Sequence, residues 1–480
     1  MNLMPFFPAN RRIAAGLVTA LLTGCASAAP PATAAAVRSL APVAAACGGA
    51  AAASTSLASA PATDALVTFD TAWAIIRRTH WDTTYNGVNW LALRDELRPR
   101  AAAAQTRGEL RVVLSEMVGR LKQSHFSIIP QEVSDATSGA AAGGERGTGA
   151  SGTVGFDVRL LDSIMVVVAV DTGGSAWQAG VRTGWVLEAV GGCPVAPRVA
   201  RIPSSLEPRR RALMAWQATS GTLDGREGDT LALQFRDDRD ELRDVSVRLD
   251  AVRGTITKFG NLPPVEAALS WQRVQRDGRS VGIIRFNIWM PVLAAQFDAA
   301  IDSLRNSDAI VLDVRGNLGG IGGMSMGIAG HFLDSARALG EMQQRGGTMR
   351  FLANPRRADT RNRPVQPFAG PLALVVDPLS ASTTEIFAAG LQALGRATVF
   401  GTQTAGQALP SVPERLPNGD ILYHAIANFI GATGAPVEGA GVTPDRVIPL
   451  DRRALLGGRD PALDAAIVWA AQQAPRRLHP

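Results

Sequence analysis

From Ser280 onward, unbroken apolar runs alternate with helical stretches, and this pattern restricts the fold more than any other feature of the chain. VGIIRF is followed by LAAQFDAAIDSL, then AIVLDV, a glycine-rich loop, and later LALVV with an alanine-rich helix behind it. Such runs read as buried strands, and strands alternating with helices are α/β organisation. Two loops of this region carry chemistry. LALVV breaks at Asp377-Pro378, passes Ser380-Ala381-Ser382 and enters the helix directly; a strand-to-helix turn is where α/β enzymes place a nucleophile. Ser382-Thr383-Thr384-Glu385 is equally a capping box, with Ser382 satisfying helix amides and Glu385 reaching back. Taken alone, these residues favour the cap, because caps are far commoner than nucleophiles. The loop Asp313-Val314-Arg315-Gly316-Asn317-Leu318-Gly319-Gly320 lacks the Gly-Lys-Ser/Thr ending of a phosphate loop. Clustered glycines instead let backbone amides approach a ligand closely, as an oxyanion hole requires.

Upstream the pattern changes twice. Residues 65–130 read as a small helical domain: Phe69, Trp73 and Ile76 share one helix face, Tyr85-Asn86-Gly87 breaks it, and a second helix begins near Asn89-Trp90. A third opens with the capping box Thr106-Arg107-Gly108-Glu109 and carries Leu110, Val113, Leu114, Met117 and Leu121 at helical spacing. A glycine-rich linker over 131–150 leads to strand-like alternation in 151–255. Within that region PRVARIPSSLEPRRRALMAWQATSG looks like an insertion. The α/β region occupies 256–475.

With 480 residues and a 46% hydrophobic fraction, the chain is long enough for two to four domains with proper cores. Its formal charge of +6 is spread thinly and comes almost entirely from arginine, with no basic run interleaved with aromatics, which argues against nucleic acid as a partner. Asn10-Arg11-Arg12 precede IAAGLVTALLTGC, the charged and apolar regions of an export signal, and that run is too short to span a bilayer. Leu22-Thr23-Gly24-Cys25 resembles the lipobox of bacterial lipoproteins, which makes residues 1–25 a signal and Cys25 a lipid attachment site. The other reading is an ordinary cleaved signal with an incidental cysteine. Residues 26–64, rich in Ala, Pro and Ser, suit a flexible tether. The expectation is an exported protein on the periplasmic side of a bacterial membrane, held there by lipid. Cys47 and Cys193 make no disulfide framework and leave a pairing open.

In the middle region Val154-Gly155-Phe156, Gly180-Val181 and Gly184-Trp185-Val186 occur in the order of a PDZ domain, which they resemble. Such a domain adds a chain terminus as an extra strand and captures its carboxylate on loop amides, here those around Gly155 and Phe156. Together, DVRGNLGG, SASTTEIFAAGLQ and VEGAGVTPD, behind this region and a helical region ending in Ser-His-Phe, resemble the C-terminal processing (tail-specific) peptidases and the tricorn core protease. The resemblance covers roughly residues 65–475. It implies a multidomain α/β protein: an N-terminal helical domain, a PDZ-like β domain and a crotonase-like α/β serine peptidase domain.

The same resemblance identifies Ser382 as the nucleophile and implies that the amides of Gly320 and Thr383 hold the oxyanion; a helix N-terminus favours negative charge there. In the tail-specific branch a lysine is the base, but Gln407 stands in its place, and the chain's two lysines, Lys122 and Lys258, precede the catalytic region. The tricorn-like branch uses Ser-His-Ser-Glu. Its histidine sits in a Ser-His pair ending the helical domain, here Ser124-His125, and its glutamate precedes a GV-x-PD motif, here Glu438 before Gly441-Val442-Thr443-Pro444-Asp445. His125 is then the base, oriented by Ser124 and Glu438, titrating near 6.5 before local shifts. As a lone residue it would read as a helix-end histidine. His80, His331, His424 and His479 lack such context, and no metal or cofactor motif is present. The implied activity is hydrolysis of unstructured or C-terminally exposed polypeptides. The alternative is a catalytically inactive PDZ-type peptide-binding or ligand-binding protein on a peptidase scaffold.

Overall fold

The computed structural model describes residues 62–132 and 151–474; Cys25, Cys47, the signal, most of the tether and residues 133–150 of the linker lie outside them. Cys193 is disulfide-bonded. Among the described residues no helix is long and apolar enough to cross a membrane.

Three helices, Ala62–Thr79, Trp90–Ala103 and Arg107–Gly119, pack around Phe69, Ile76, Leu97, Leu110 and Leu114. Their starts are chemically marked. Asn89 Oδ1 accepts from the Ala92 amide at 3.1 Å, and Thr106 and Glu109 form the reciprocal box. This helical core is completed from far along the chain, by Leu416 and Leu422. Strand Ser127–Ile129 pairs antiparallel with Ile421–Ala425, and Arg111 clamps the buried Asp420 through two bonds of 2.9 and 2.7 Å. The turn carrying Ser124-His125 is therefore held against the C-terminal third of the protein.

The middle region forms a sheet of β1 (Phe156–Leu161), β2 (Ile164–Val170), β3 (Val186–Val190), β4 (Thr230–Arg236) and β5 (Leu242–Arg248), in that order, with Cys193–Pro194 beside β3. β1 is an edge strand, and the helix Pro208–Ser220 packs against it. That helix belongs to the segment read as an insertion. Inserted or not, the segment packs into the domain: Val199, Ile202 and Ala215 are buried in the same core as Val158, Val167 and Phe235. The segment is part of what makes this sheet's apolar face dry. Its sequence hides this because three consecutive arginines, 209–211, mask the apolar face.

The last region holds β6 (Leu269–Arg276), antiparallel to β7 (Arg279–Phe286), which is followed across the sheet by parallel β8 (Ala309–Asp313), β9 (Leu372–Val376), β10 (Thr398–Gly401) and β11 (Arg446–Val447). β8 and β9 are buried along their whole length, as parallel strands covered on both faces must be. Ile284, Leu312 and Leu374 pack under helices Ala294–Leu304 and Thr383–Ala393. Ile283, Val311 and Val375 pack under Pro461–Gln473 on the other face. Loops at the carboxyl ends of these strands are where α/β sheets bind ligands.

Candidate active site

Ser382 sits between β9 and the helix Thr383–Ala393 with φ 56° and ψ −120°. A non-glycine residue at positive φ is strained, by an amount of order 1–3 kcal/mol, and persists only where surroundings over-determine it. Here they do. The Ser382 amide donates to the Gln407 carbonyl at 2.8 Å and to Glu385 Oε2 at 3.1 Å. Ahead of it, Asp377 accepts from the Gly316 and Leu379 amides at 2.9 and 3.1 Å and from Arg159 Nε at 2.7 Å. Glu385 therefore does reach back as a capping residue, but capping is only part of its work. It is fully buried, and its carboxyl also accepts from Thr404 Oγ1, from the Gly406 amide at 2.7 Å and from the Gln407 amide at 2.8 Å. Burial pushes it up to about 7, against the pull of those donors.

The glycine loop lies against Ser382. A Cβ on Gly319, whose φ is +102°, would fall 2.6 Å from the Ser382 Cβ and 3.1 Å from its Oγ. Gly320, at φ +138°, has no room either, because a Cβ would meet the Trp289 carbonyl. Buried Asn317 fastens this loop to the Ser382 turn: its Oδ1 accepts from Gly319 N at 3.0 Å, and its carbonyl accepts from Ala381 N at 3.1 Å and Thr384 Oγ1 at 2.9 Å. Thr383 Oγ1 donates to the Gly320 carbonyl at 2.8 Å. The Thr383 amide opens its helix, and a first-turn amide has no intrahelical acceptor.

Ser124, His125 and Glu438 form one hydrogen-bonded chain. Glu438 Oε1 accepts from the Ser124 amide at 3.0 Å, and its Oε2 accepts from Ser124 Oγ at 2.9 Å and from the Ala408 amide at 2.9 Å. Ser124 Oγ lies 2.7 Å from His125 Nδ1. That contact leaves Nε2 as the ring nitrogen available to another group. Among the described residues, no hydrogen bond joins Nε2 to Ser382. The link between the two is the segment Gln407-Ala408, bonded to Ser382 at one end and to Glu438 at the other. His125 has φ 59° and packs its ring 5.7 Å from that of Tyr423. Although part of its surface is exposed, protein atoms surround the ring, and burial pushes the imidazole down to about 4, well below the ordinary value expected from sequence. Lys122, remote from the catalytic region in sequence, is carried close to it on the same turn but is exposed.

Gly155 has φ +70°, and its amide donates to Thr153 Oγ1 at 3.2 Å, so one amide of that loop is already engaged. Phe156 opens β1 and stacks edge-on against Phe235 at 5.6 Å. The helix beside β1 reaches the catalytic loops: Leu213 and Trp216 pack with Leu379, Ala381 and Ala405. Its Arg209 donates to the carbonyls of Gly439 and Ala440, directly after Glu438. Sequence reasoning missed Arg209, Asn317, Thr404 and Trp289, whose indole N–H donates to Thr384 at 2.8 Å. Asn317 had no readable signal beyond its place among the loop glycines, and Trp289 had none.

Residues 280–448 match Peptidase family S41, and residues 61–119 match the Tricorn protease C1 domain. The carboxyl-terminal-processing protease of Picosynechococcus sp. is 24% identical over 79% of this chain and 82% of its own length. Tricorn protease homolog 1 of Streptomyces coelicolor is 26% identical over 85% of this chain and 35% of its own. The fold is that of the photosystem II D1 C-terminal processing protease, which superimposes with a TM-score of 0.55 over 86% of this chain and 99% of that one at 19% identity. With an S41 region behind a tricorn C1 region, this chain is a serine-type peptidase similar to the carboxyl-terminal-processing and tricorn proteases.

Proposed function

We propose that the protein is an exported serine endopeptidase of the tricorn-like type, in which His125 takes the proton of Ser382 and the amides of Gly320 and Thr383 hold the oxyanion. Ser124 and Glu438 fix the imidazole tautomer, so that Nε2 faces the nucleophile as an acceptor. The observation that carries this reading is the chain Glu438–Ser124–His125, made by residues 314 positions apart. A scaffold has no need of two hydroxyl bonds ending on a half-buried imidazole. Gln407 lends its backbone to both Ser382 and Glu385 and cannot serve as a base. The test is covalent labelling by a fluorophosphonate. Wild type should label; Ser382→Ala should not; His125→Ala should label at least ~10³-fold more slowly, as members of such a unit do. Labelling of folded His125→Ala at the wild-type rate would overturn the assignment.

The middle region acts in this reading as a PDZ-like receptor for free C-termini, presented along the edge of β1. A peptide with an apolar end should bind more weakly once amidated, because the amide removes the charge the loop captures. Equal binding of both forms would sink the idea. Cys25 is the lipid attachment site of this proposal: metabolic labelling with a fatty acid should mark wild type and not Cys25→Ser.

A further inference from the structure

Between the middle sheet and the carboxyl ends of the parallel strands lies a cavity of about 630 Å³, within the range of small-molecule sites. It is separate from the nucleophile, since none of Ser382, His125, Gly319 or Gly320 lines it. Arg285 places it on one side of the parallel sheet. That residue continues the register of Ile283, whose side chain packs under Pro461–Gln473, and Pro461 itself lines the cavity. The helix that begins at Thr383 covers the opposite face.

Five arginines line this space, and three of them are spent on the protein. Arg159 pairs with Asp157 and Asp377, Arg315 with Asp313 and Asp460, and Arg209 with Glu207 and backbone carbonyls. Arg211 and Arg285 are different. Among the described residues neither side chain makes a hydrogen bond or an ion pair within 4 Å, and Arg211 Nε is buried with no acceptor. Arg285 still feels the more distant carboxylates of Asp157, Asp171 and Asp313. A buried guanidinium donor without an acceptor is costly; Arg211 Nε is such a donor, and the half-buried Arg285, on a different unit of the fold, lines the same cavity without a side-chain hydrogen-bond partner.

We propose that this cavity binds an organic monocarboxylate with an apolar body, its carboxylate held between Arg211 and Arg285. One negative charge fits better than several, because four carboxylates also line the space and leave a single positive charge in excess. An apolar body fits because Leu160, Val168, Ala212, Pro378 and Leu450 make much of the wall. The carboxylate is offered by two sources, a free aliphatic acid and the chain end of a short peptide. Neither depends on which residue activates Ser382.

The test uses the Ser382→Ala chain, so that binding is read without turnover and independently of the proposed mechanism. Titration calorimetry would be run with octanoate, with N-acetyl-Ala-Leu-Val, and with the amide of the same peptide. Saturable binding of either acid, with no binding of the amide, is the expected result. Arg285→Gln and Arg211→Gln should each weaken it ~10-fold or more, the loss of one charge-assisted pair, while Arg211→Lys keeps part of the affinity. The same substitutions in the Ser382 background should leave the fluorophosphonate rate unchanged, which shows that the fold is intact. Octanoate alone binding assigns the free acid, and the peptide alone assigns a chain end. The proposal fails if neither acid binds at millimolar concentration, if the amide binds as well as the acid, or if affinity survives in both glutamine variants.

Discussion

His125 combines an enclosing environment with a hydroxyl, not a carboxylate, on Nδ1. A base works in its neutral form, and burial lowers its pKa to about 4. Hydrolysis should therefore rise with pH through about 4, measured as kcat/KM, and be nearly flat between pH 5.5 and 7, where an unperturbed histidine would still be titrating near 6.5. An acid limb centred at 6.5 would show that the ring is solvated in the working enzyme. Glu385 carries the opposite shift. Its folded value of about 7 exceeds the ordinary 4.5, so the protonated form is the one folding favours. Its contribution to stability is present below about 4.5 and lost as pH rises through 7. Glu385→Gln should abolish that slope in urea-denaturation midpoints. It should also destabilise the protein at low pH by about 1–3 kcal/mol for each donor its amide group cannot accept, and slow labelling by moving Ser382.

Elements set how far the sequence could be read. The three helices were legible because each buries one face at helical period, and Phe69, Ile76, Leu110 and Leu114 are buried as that period requires. β8 and β9 were legible as apolar runs because both faces are covered. Order of motifs drew attention to Ser124, His125 and Glu438, but nothing local in the sequence announces that Ala408 lends its amide to Glu438. Asn317 and Trp289 were invisible for a similar reason: their work is to hold backbone from other elements, and no periodicity encodes that. The glycine loop offers a direct check. Gly319→Ala would force a methyl to within 2.6 Å of the Ser382 Cβ at a φ of +102°. Labelling should fall by ~100-fold or more, the scale of losing an oxyanion donor, with unchanged circular dichroism. Near-normal labelling would mean that the loop can retreat without cost.

Across the whole molecule the catalytic loops are held by their neighbours. Arg159 of β1 bridges to Asp377 of the nucleophile turn at 2.7 Å and to Asp157 at 2.6 Å, and it is itself buried. Arg159→Met keeps the stem and removes the charge, leaving two carboxylates without their cation. Breaking a buried pair from one side costs about 3–5 kcal/mol; Asp157 is partly exposed, which puts the expectation at the lower end. Hydrogen exchange in β1 and residues 377–382 should accelerate together. Protection unchanged in both would show that the bridge contributes nothing to docking.

The bond from Ser124 to Glu438 spans 314 positions of the chain, and Arg209 of the middle region caps the carbonyls that follow Glu438. No contiguous fragment that begins after Ser124 or ends before Glu438 can therefore assemble the proposed proton-transfer chain. In the proposed mechanism, a nascent chain emerging from the ribosome has its nucleophile, Ser382, and its base, His125, on segments that have not yet met. On that mechanism the chain's own topology delays cutting until folding has brought these segments together.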